Sequence, residues 1–194
     1  MIKNLVFDLG DTLISYQYKD IDKILGIKNA FEIQKEFFRS SDYLCFMCDN
    51  RTEAELLNTY PNNFEERKVI ESVLTDLQWV VYYPKLYEWI NELKSKGFRI
   101  YVLSNYHKDM FDRHIKPIPI SFDGILISED VGTNKPSRNI YEVLLERYGL
   151  NPAETMFFDD RIENLEEPRN MGFLTLSLQL DKQSGVKGID YISN

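Results

Sequence analysis

The sequence predicts an α/β protein: a parallel sheet covered by helices on both faces, with a helical segment inserted after the first strand. Two observations carry this. Short, continuously apolar runs recur at residues 2–7, 99–104, 124–128, 155–158 and 173–178. From residue 83 onward these runs alternate with stretches of helical periodicity. Strands apolar along their whole length belong to sheets buried on both faces, and helical crossovers are how parallel strands are joined. A third observation sets the insertion apart. Between residues 14 and 82 no strand-like run is visible.

Taken in order, residues 2–7 form a buried strand that ends in Asp8, Gly10 and Asp11, which read as a turn. The inserted segment contains a helix near residues 29–39 and another opened by the capping box Thr52-x-x-Glu55. A third, over residues 64–77, sets Val69, Ile70, Val73 and Leu77 on one face. Pro84 opens the next helix, Leu86, Trp89, Ile90 and Leu93 give its apolar stripe, and Gly97 closes it. A strand over 99–104, a weaker helix over 107–114 and a strand over 124–128 follow. The helix over 137–148 carries Tyr141, Leu144, Leu145 and Tyr148 and stops at Gly149. The strand over 155–158 ends in Asp159 and Asp160. A short helix, interrupted or delayed by Pro168, leads to the last strand. The expected domains are a core of residues 1–13 and 83–194 and an inserted helical domain of residues 14–82.

The chain has 194 residues, enough for one domain with a modest insertion. Hydrophobic residues make up 43% of it, which argues against disorder. A net charge of −8 repels nucleic acids and anionic membranes, so neither is an expected partner. No apolar run reaches the ~18–20 residues of a membrane span, and no secretory signal precedes the first strand. Cys45 and Cys48 have C-x-x-C spacing but lack the second ligand pair of a structural zinc site. They read as reduced thiols on a helix, which fits a cytoplasmic protein.

Ligands of open parallel sheets bind at the carboxyl ends of the strands. Here the strand ends deliver Asp8, then Ser104 and Asn105, then Lys135 shortly after the third strand, then Asp159 and Asp160. Three carboxylates in one crevice repel one another unless a cation lies among them, and hard oxygen ligands suit Mg²⁺. Lys135 adds a positive charge that holds a phosphate, and Ser104 and Asn105 add hydrogen bonds to it. A carboxylate so placed attacks phosphorus and forms an aspartyl phosphate. The chemistry points to phosphoryl transfer on a small phosphorylated metabolite.

FDLGDTL, VLSN, TNKP and MFFDD followed by Asn164 resemble, in this order, the four motifs of the haloacid dehalogenase superfamily. The resemblance implies a Rossmann-like core and an Mg²⁺-dependent hydrolase. It makes Asp8 the nucleophile and a metal ligand, and Ser104 and Lys135 phosphate-binding and catalytic residues. The carbonyl of Gly10 and the carboxylates of Asp160 and Asp159 complete the metal site, with Asp160 favoured as the direct ligand. The insertion resembles the type 1 cap of this superfamily. The motif spelling is similar to that of bacterial sugar-phosphate phosphatases active on α-D-glucose 1-phosphate.

One position departs from the common pattern. Most phosphatases of this superfamily carry Asp two residues after the nucleophile, as general acid and base; here it is Gly10. Asp11 needs a special turn geometry to take that role. Two alternatives therefore stand beside the phosphatase: a phosphate-binding or regulatory protein with little turnover, and a phosphomutase, which the missing carboxyl group disfavours. His107 reads as a surface or helix-cap residue. Tyr16 and Tyr18 read first as packing between insertion and core, with contact to substrate as the alternative, and Phe31, Phe37, Phe38 and Trp79 as core of the insertion. A monomer or weak homodimer is expected.

Overall fold

The computed structural model describes residues 1–60, 64–178 and 180. In chain order the elements are β1 (Asn4–Phe7), β2 (Ile14–Tyr16), α1 (Ile21–Leu25), α2 (Ala30–Phe37), α3 (Ser41–Phe46), α4 (Glu53–Leu57), α5 (Glu65–Thr75) and β3 (Val80–Tyr82). There follow α6 (Pro84–Ser95), β4 (Arg99–Ser104), α7 (Lys108–Ile115), β5 (Gly124–Ile127), α8 (Arg138–Tyr148), β6 (Thr155–Asp159), α9 (Glu163–Asn170) and β7 (Leu174–Ser177).

The five strands expected from the apolar runs form one parallel sheet in the order β5-β4-β1-β6-β7. β1 lies at the centre, with Leu5 opposite both Ile100 and Met156, and Phe7 opposite both Val102 and Phe158. Side chains alternate across a strand, so each strand feeds two cores. Leu5, Phe7, Val102 and Phe158 face α6 and α7 with Leu86, Ile90, Met110 and Phe111. Val6, Tyr101, Leu103 and Phe157 face α8 and α9 with Ile140, Tyr141, Leu144 and Leu165. Both faces are covered, which is why these strands are apolar throughout. Phe7 and Phe158 stack at 4.5 Å between ring centroids, one residue before the carboxylates that end their strands.

The segment between β1 and α6 corrects the sequence reading in one respect. It contains two strands, not none: β2 and β3 pair antiparallel, Ile14 opposite Tyr82 and Tyr16 opposite Val80. Three residues are too few to show periodicity, although Ile, Val and Tyr suit a strand. The capping box forms as expected, with Thr52 Oγ1 accepting from Glu55 N and Glu55 Oε2 accepting from Thr52 N. Two apolar expectations fail. Phe31 is 41% exposed and Leu77 is 39% exposed, because Phe31 begins α2 on its outer side and Leu77 lies beyond the end of α5. Ile21, Phe46, Leu56, Ile70 and Trp79 form one continuous apolar cluster with Leu86 and Phe111.

Polar contacts tie this segment to the sheet's other loops. Ser128 Oγ donates to the Met47 carbonyl at 2.5 Å, and Arg113 makes a bidentate pair with Glu53 at 2.9 and 2.6 Å. His107 Nε2 lies 2.6 Å from the Arg51 carbonyl, and its ring stacks on Phe46. His107 is also the N-cap of α7, as expected, but it is buried rather than on the surface.

Pro168 does not interrupt its helix; α9 runs through it. A proline ring displaces the hydrogen bond to the carbonyl four residues earlier, here Asn164. That carbonyl accepts instead from the Tyr141 hydroxyl at 2.7 Å, so it is not left unpaired. Among the described residues no helix is long and apolar enough to cross a membrane.

Candidate active site

Asp8 directly follows β1, and its N–H donates to the Phe158 carbonyl and extends the sheet by one rung. The chain then turns tightly. Leu13 N and Ile14 N both donate to the Leu9 carbonyl, and Asp11 adopts a left-handed conformation with φ 50°. This turn folds the chain back toward β2 and leaves Asp8 at the mouth of the sheet. Asp8 Oδ1 accepts from Leu9 N at 2.7 Å and from Ser104 Oγ at 2.6 Å, and lies 2.9 Å from Lys135 Nζ. Three donors on one oxygen fix the plane of the carboxylate and leave Oδ2 without a donor among the described residues.

Lys135 is fully buried. Its ammonium sits between Asp8 Oδ1 and Asp159 Oδ2, the latter at 2.6 Å, and donates to the Leu103 carbonyl at 3.1 Å. Its backbone is clamped by Asn105, whose Oδ1 accepts from Lys135 N at 2.7 Å and whose Nδ2 donates to Lys135 O at 2.9 Å. The sequence reading gave Asn105 to phosphate. Both ends of its side-chain amide bond the Lys135 main chain, so the side chain positions the lysine, while the residue itself borders the cavity.

Asp159, at the end of β6, accepts from Lys135 Nζ, from Arg161 N at 2.9 Å and from Asn164 Nδ2 at 3.0 and 3.1 Å. Asp160 is half-buried beside it. The three carboxylates of Asp8, Asp159 and Asp160 each bring an oxygen within 4.8 Å of the others. Electrostatics follow from burial and crowding. Burial raises the Asp8 carboxyl above the usual range, with Asp159 adding to the rise and Lys135 opposing it. Burial, then Asp8, Asp159 and Asp11, push Asp160 up to about 7. Burial alone would depress Lys135, but the two flanking carboxylates hold it above its ordinary value and charged. Three carboxylates face one ammonium, and all the donors are hard oxygens. That set fits a divalent cation of the magnesium type.

The structure thus brings Asp8, Ser104, Lys135, Asp159 and Asp160 to one end of the sheet. All but the fully buried Asp159 border a cavity of about 510 Å³, as do Gly10, Asp11 and Asn105. The opposite wall comes from the inserted segment, with Tyr16, Tyr18, Gln34, Phe38, Tyr43 and Met47. Tyr16 and Tyr18 line the cavity, where the alternative expected of them, contact with a ligand, is open to both. Gln34, Tyr43, Tyr106 and Met110 were not foreseen. Only Tyr106 had a signal, its place directly after Ser104 and Asn105.

Residues 2–172 match the family model of a haloacid dehalogenase-like hydrolase. The chain belongs to this hydrolase family. Among its relatives is the glyceraldehyde 3-phosphate phosphatase of Methanocaldococcus jannaschii, 21% identical, covering 98% of this chain and 91% of the relative. Another is the D-ribitol-5-phosphate phosphatase of Bacteroides thetaiotaomicron, 23% identical, covering 90% and 91%. The fold of this haloacid dehalogenase-like hydrolase is similar to that of a HAD family enzyme from Bacteroides thetaiotaomicron solved in complex with magnesium and inorganic phosphate. The TM-score is 0.80 at 20% identity, with both chains fully covered.

Proposed function

We propose that this hydrolase is an Mg²⁺-dependent phosphatase acting on a small phosphorylated metabolite, a sugar phosphate such as α-D-glucose 1-phosphate foremost. The observation that carries the reading is the Asp8 carboxylate, held by Ser104 and the buried Lys135 ammonium within a cluster of three carboxylates. On this reading residues 14–82 act as a helical cap over a core of residues 1–13 and 83–194. The chain acts in the cytoplasm as a monomer or weak homodimer, with Cys45 and Cys48 as free thiols.

Asp8, Asp160, the Gly10 carbonyl and Asp159 would hold the metal, which supplies charge neutralisation to an incoming phosphate when bound. The phosphoryl group binds with its oxygens toward Lys135 and Ser104. Asp8 Oδ2 attacks phosphorus, the bond from phosphorus to the leaving oxygen breaks, and the leaving alkoxide takes a proton from solvent water. Water then attacks phosphorus of the aspartyl phosphate, releasing inorganic phosphate and restoring the Asp8 carboxylate. Lys135 balances the negative charge that builds on the phosphoryl oxygens. Asn105 and Asn164 keep Lys135 and Asp159 in register with Asp8.

The test is phosphate release from p-nitrophenyl phosphate and α-D-glucose 1-phosphate by the purified chain with Mg²⁺. Turnover is expected in the wild type and lost in Asp8→Asn, with circular dichroism unchanged. Absence of turnover on a broad panel of phosphomonoesters overturns the reading. Tight phosphate and Mg²⁺ binding in that case selects the second reading, a phosphate-binding protein, which Gly10 favours because it brings no acid–base carboxyl group.

A further inference from the structure

The wall of the cavity opposite Asp8 is uncharged. Tyr16, Tyr18, Gln34, Phe38, Tyr43 and Met47 carry no formal charge, and all come from the inserted segment. Two cations border the cavity, and neither belongs to this wall. Lys135 is held by Asp8 and Asp159, and Arg161, which follows β6, is exposed and paired at the surface with Glu163 at 2.7 Å. A second anionic group set against the wall of the inserted segment would therefore lose its water without gaining a cation.

The same wall is not merely apolar. Gln34 is 7% exposed, and its amide has no hydrogen-bond partner among the described residues. The hydroxyls of Tyr18 and Tyr43 likewise have none. Burial keeps both phenols neutral well beyond physiological pH, so each can donate and accept. Three unpaired polar groups at one apolar face are costly against a hydrocarbon, because a buried polar group left unmade loses its hydration outright. They are satisfied by a ligand with hydroxyl groups. Aromatic rings beside such donors also suit the C–H faces of a carbohydrate or polyol.

We infer that Gln34, Tyr18 and Tyr43 form the subsite for the leaving group, and that this subsite selects an uncharged, hydroxyl-bearing alcohol over charged or hydrocarbon ones. The inference rests on the phosphatase reading, and names its specificity-determining residues. Gln34 is the centre of the subsite, since its amide offers both a donor and an acceptor.

The test compares kcat/KM for four phosphomonoesters: glucose 1-phosphate or ribitol 5-phosphate, 3-phosphoglycerate, fructose 1,6-bisphosphate and hexyl phosphate. The wild type should prefer the neutral polyol ester over the other three classes by about tenfold or more. Gln34→Leu should lower the ratio of polyol to hexyl ester by about tenfold, mainly through KM, and Tyr43→Phe should lower it less. Gln34→Asn should restore part of the ratio. Thermal unfolding of each variant separates a specificity change from misfolding. Equal rates on all four esters, a preference for a charged ester, or a ratio unmoved in both folded variants overturns the subsite while leaving the phosphatase standing. No hydrolysis of any ester overturns the phosphatase, and the subsite with it.

Discussion

Replacing Lys135 by Met keeps the length of the side chain and removes its charge. The ammonium lies 2.9 Å from Asp8 Oδ1, 2.6 Å from Asp159 Oδ2 and 3.1 Å from the Leu103 carbonyl, fully enclosed. Its loss leaves two buried carboxylates facing each other and one carbonyl unpaired. Breaking a buried ion pair by removing one partner costs about 3–5 kcal/mol, because the remaining charge is uncompensated. The cost depends on pH. Burial already raises Asp8, and without the lysine it rises further. A carboxyl group whose pKa is higher folded than unfolded binds more protons folded, so stability falls as pH rises between the two values. The deficit of Lys135→Met relative to wild type should therefore be small near pH ~4, where unfolded carboxyl groups begin to titrate, and reach about 3–5 kcal/mol by pH ~8. Urea unfolding across this range, without divalent cations, measures it. Millimolar Mg²⁺ should recover part of the loss. A deficit under about 1 kcal/mol at the alkaline end, or one independent of pH, would refute the enclosed ammonium as the counter-charge of the cluster.

Three further outcomes are expected. Burial, reinforced by Arg113, lowers His114 from 6.5 to about 4, and its Nδ1 lies 2.6 Å from the Tyr106 hydroxyl. The unfolded chain then binds the extra proton first, so this contribution is intact above pH 6.5 and lost as pH falls toward about 4, by on the order of 3 kcal/mol. His114→Gln should flatten that part of the stability–pH curve. A Cβ added at Gly124 would sit 2.4 Å from the Tyr148 ring, whose hydroxyl bonds Ile125 N and O. Gly124→Ala should therefore cost about 1–3 kcal/mol in urea unfolding, and much less in a Tyr148→Ala background. At Gly10 a Cβ would meet only Tyr16 Cε2, at 3.9 Å, so there is room for a side chain. Gly10→Asp should raise kcat on alkyl phosphates by about 10²-fold if leaving-group protonation is slow, and an unchanged kcat would reject that step as limiting.

The sheet was legible because its strands are buried on both faces, so Leu5-Val6-Phe7 or Ile100-Tyr101-Val102 show no break. The acids and the lysine were legible because parallel strands point their carboxyl ends to one side, which makes a one-dimensional order a spatial cluster. The rest depends on facts that spacing does not encode. β2 and β3 have three residues each and exist through their partner. α1, α3 and α4 are five or six residues long, too short for a stripe to repeat. Gln34 and Phe31 lie three apart on α2 and line one groove together with Tyr16 and Tyr18, yet only Gln34 also borders the cavity and Phe31 is 41% exposed; the docking of that helix decides which. The bonds of the Asn105 side chain to the Lys135 main chain were not legible, because an amide at a strand end suits a ligand and a neighbouring main chain equally.

The proline in α9 has a consequence beyond its own helix. The Asn164 backbone is held by a hydroxyl from α8, while the Asn164 side chain holds Asp159. Tyr141 and Pro168, neither of which borders the cavity, are thus a matched pair whose joint setting fixes the orientation of an acid at its floor. Exchanging either one alone strands a carbonyl or offers it a second donor, so drift at these two sites should be tolerated only in concert.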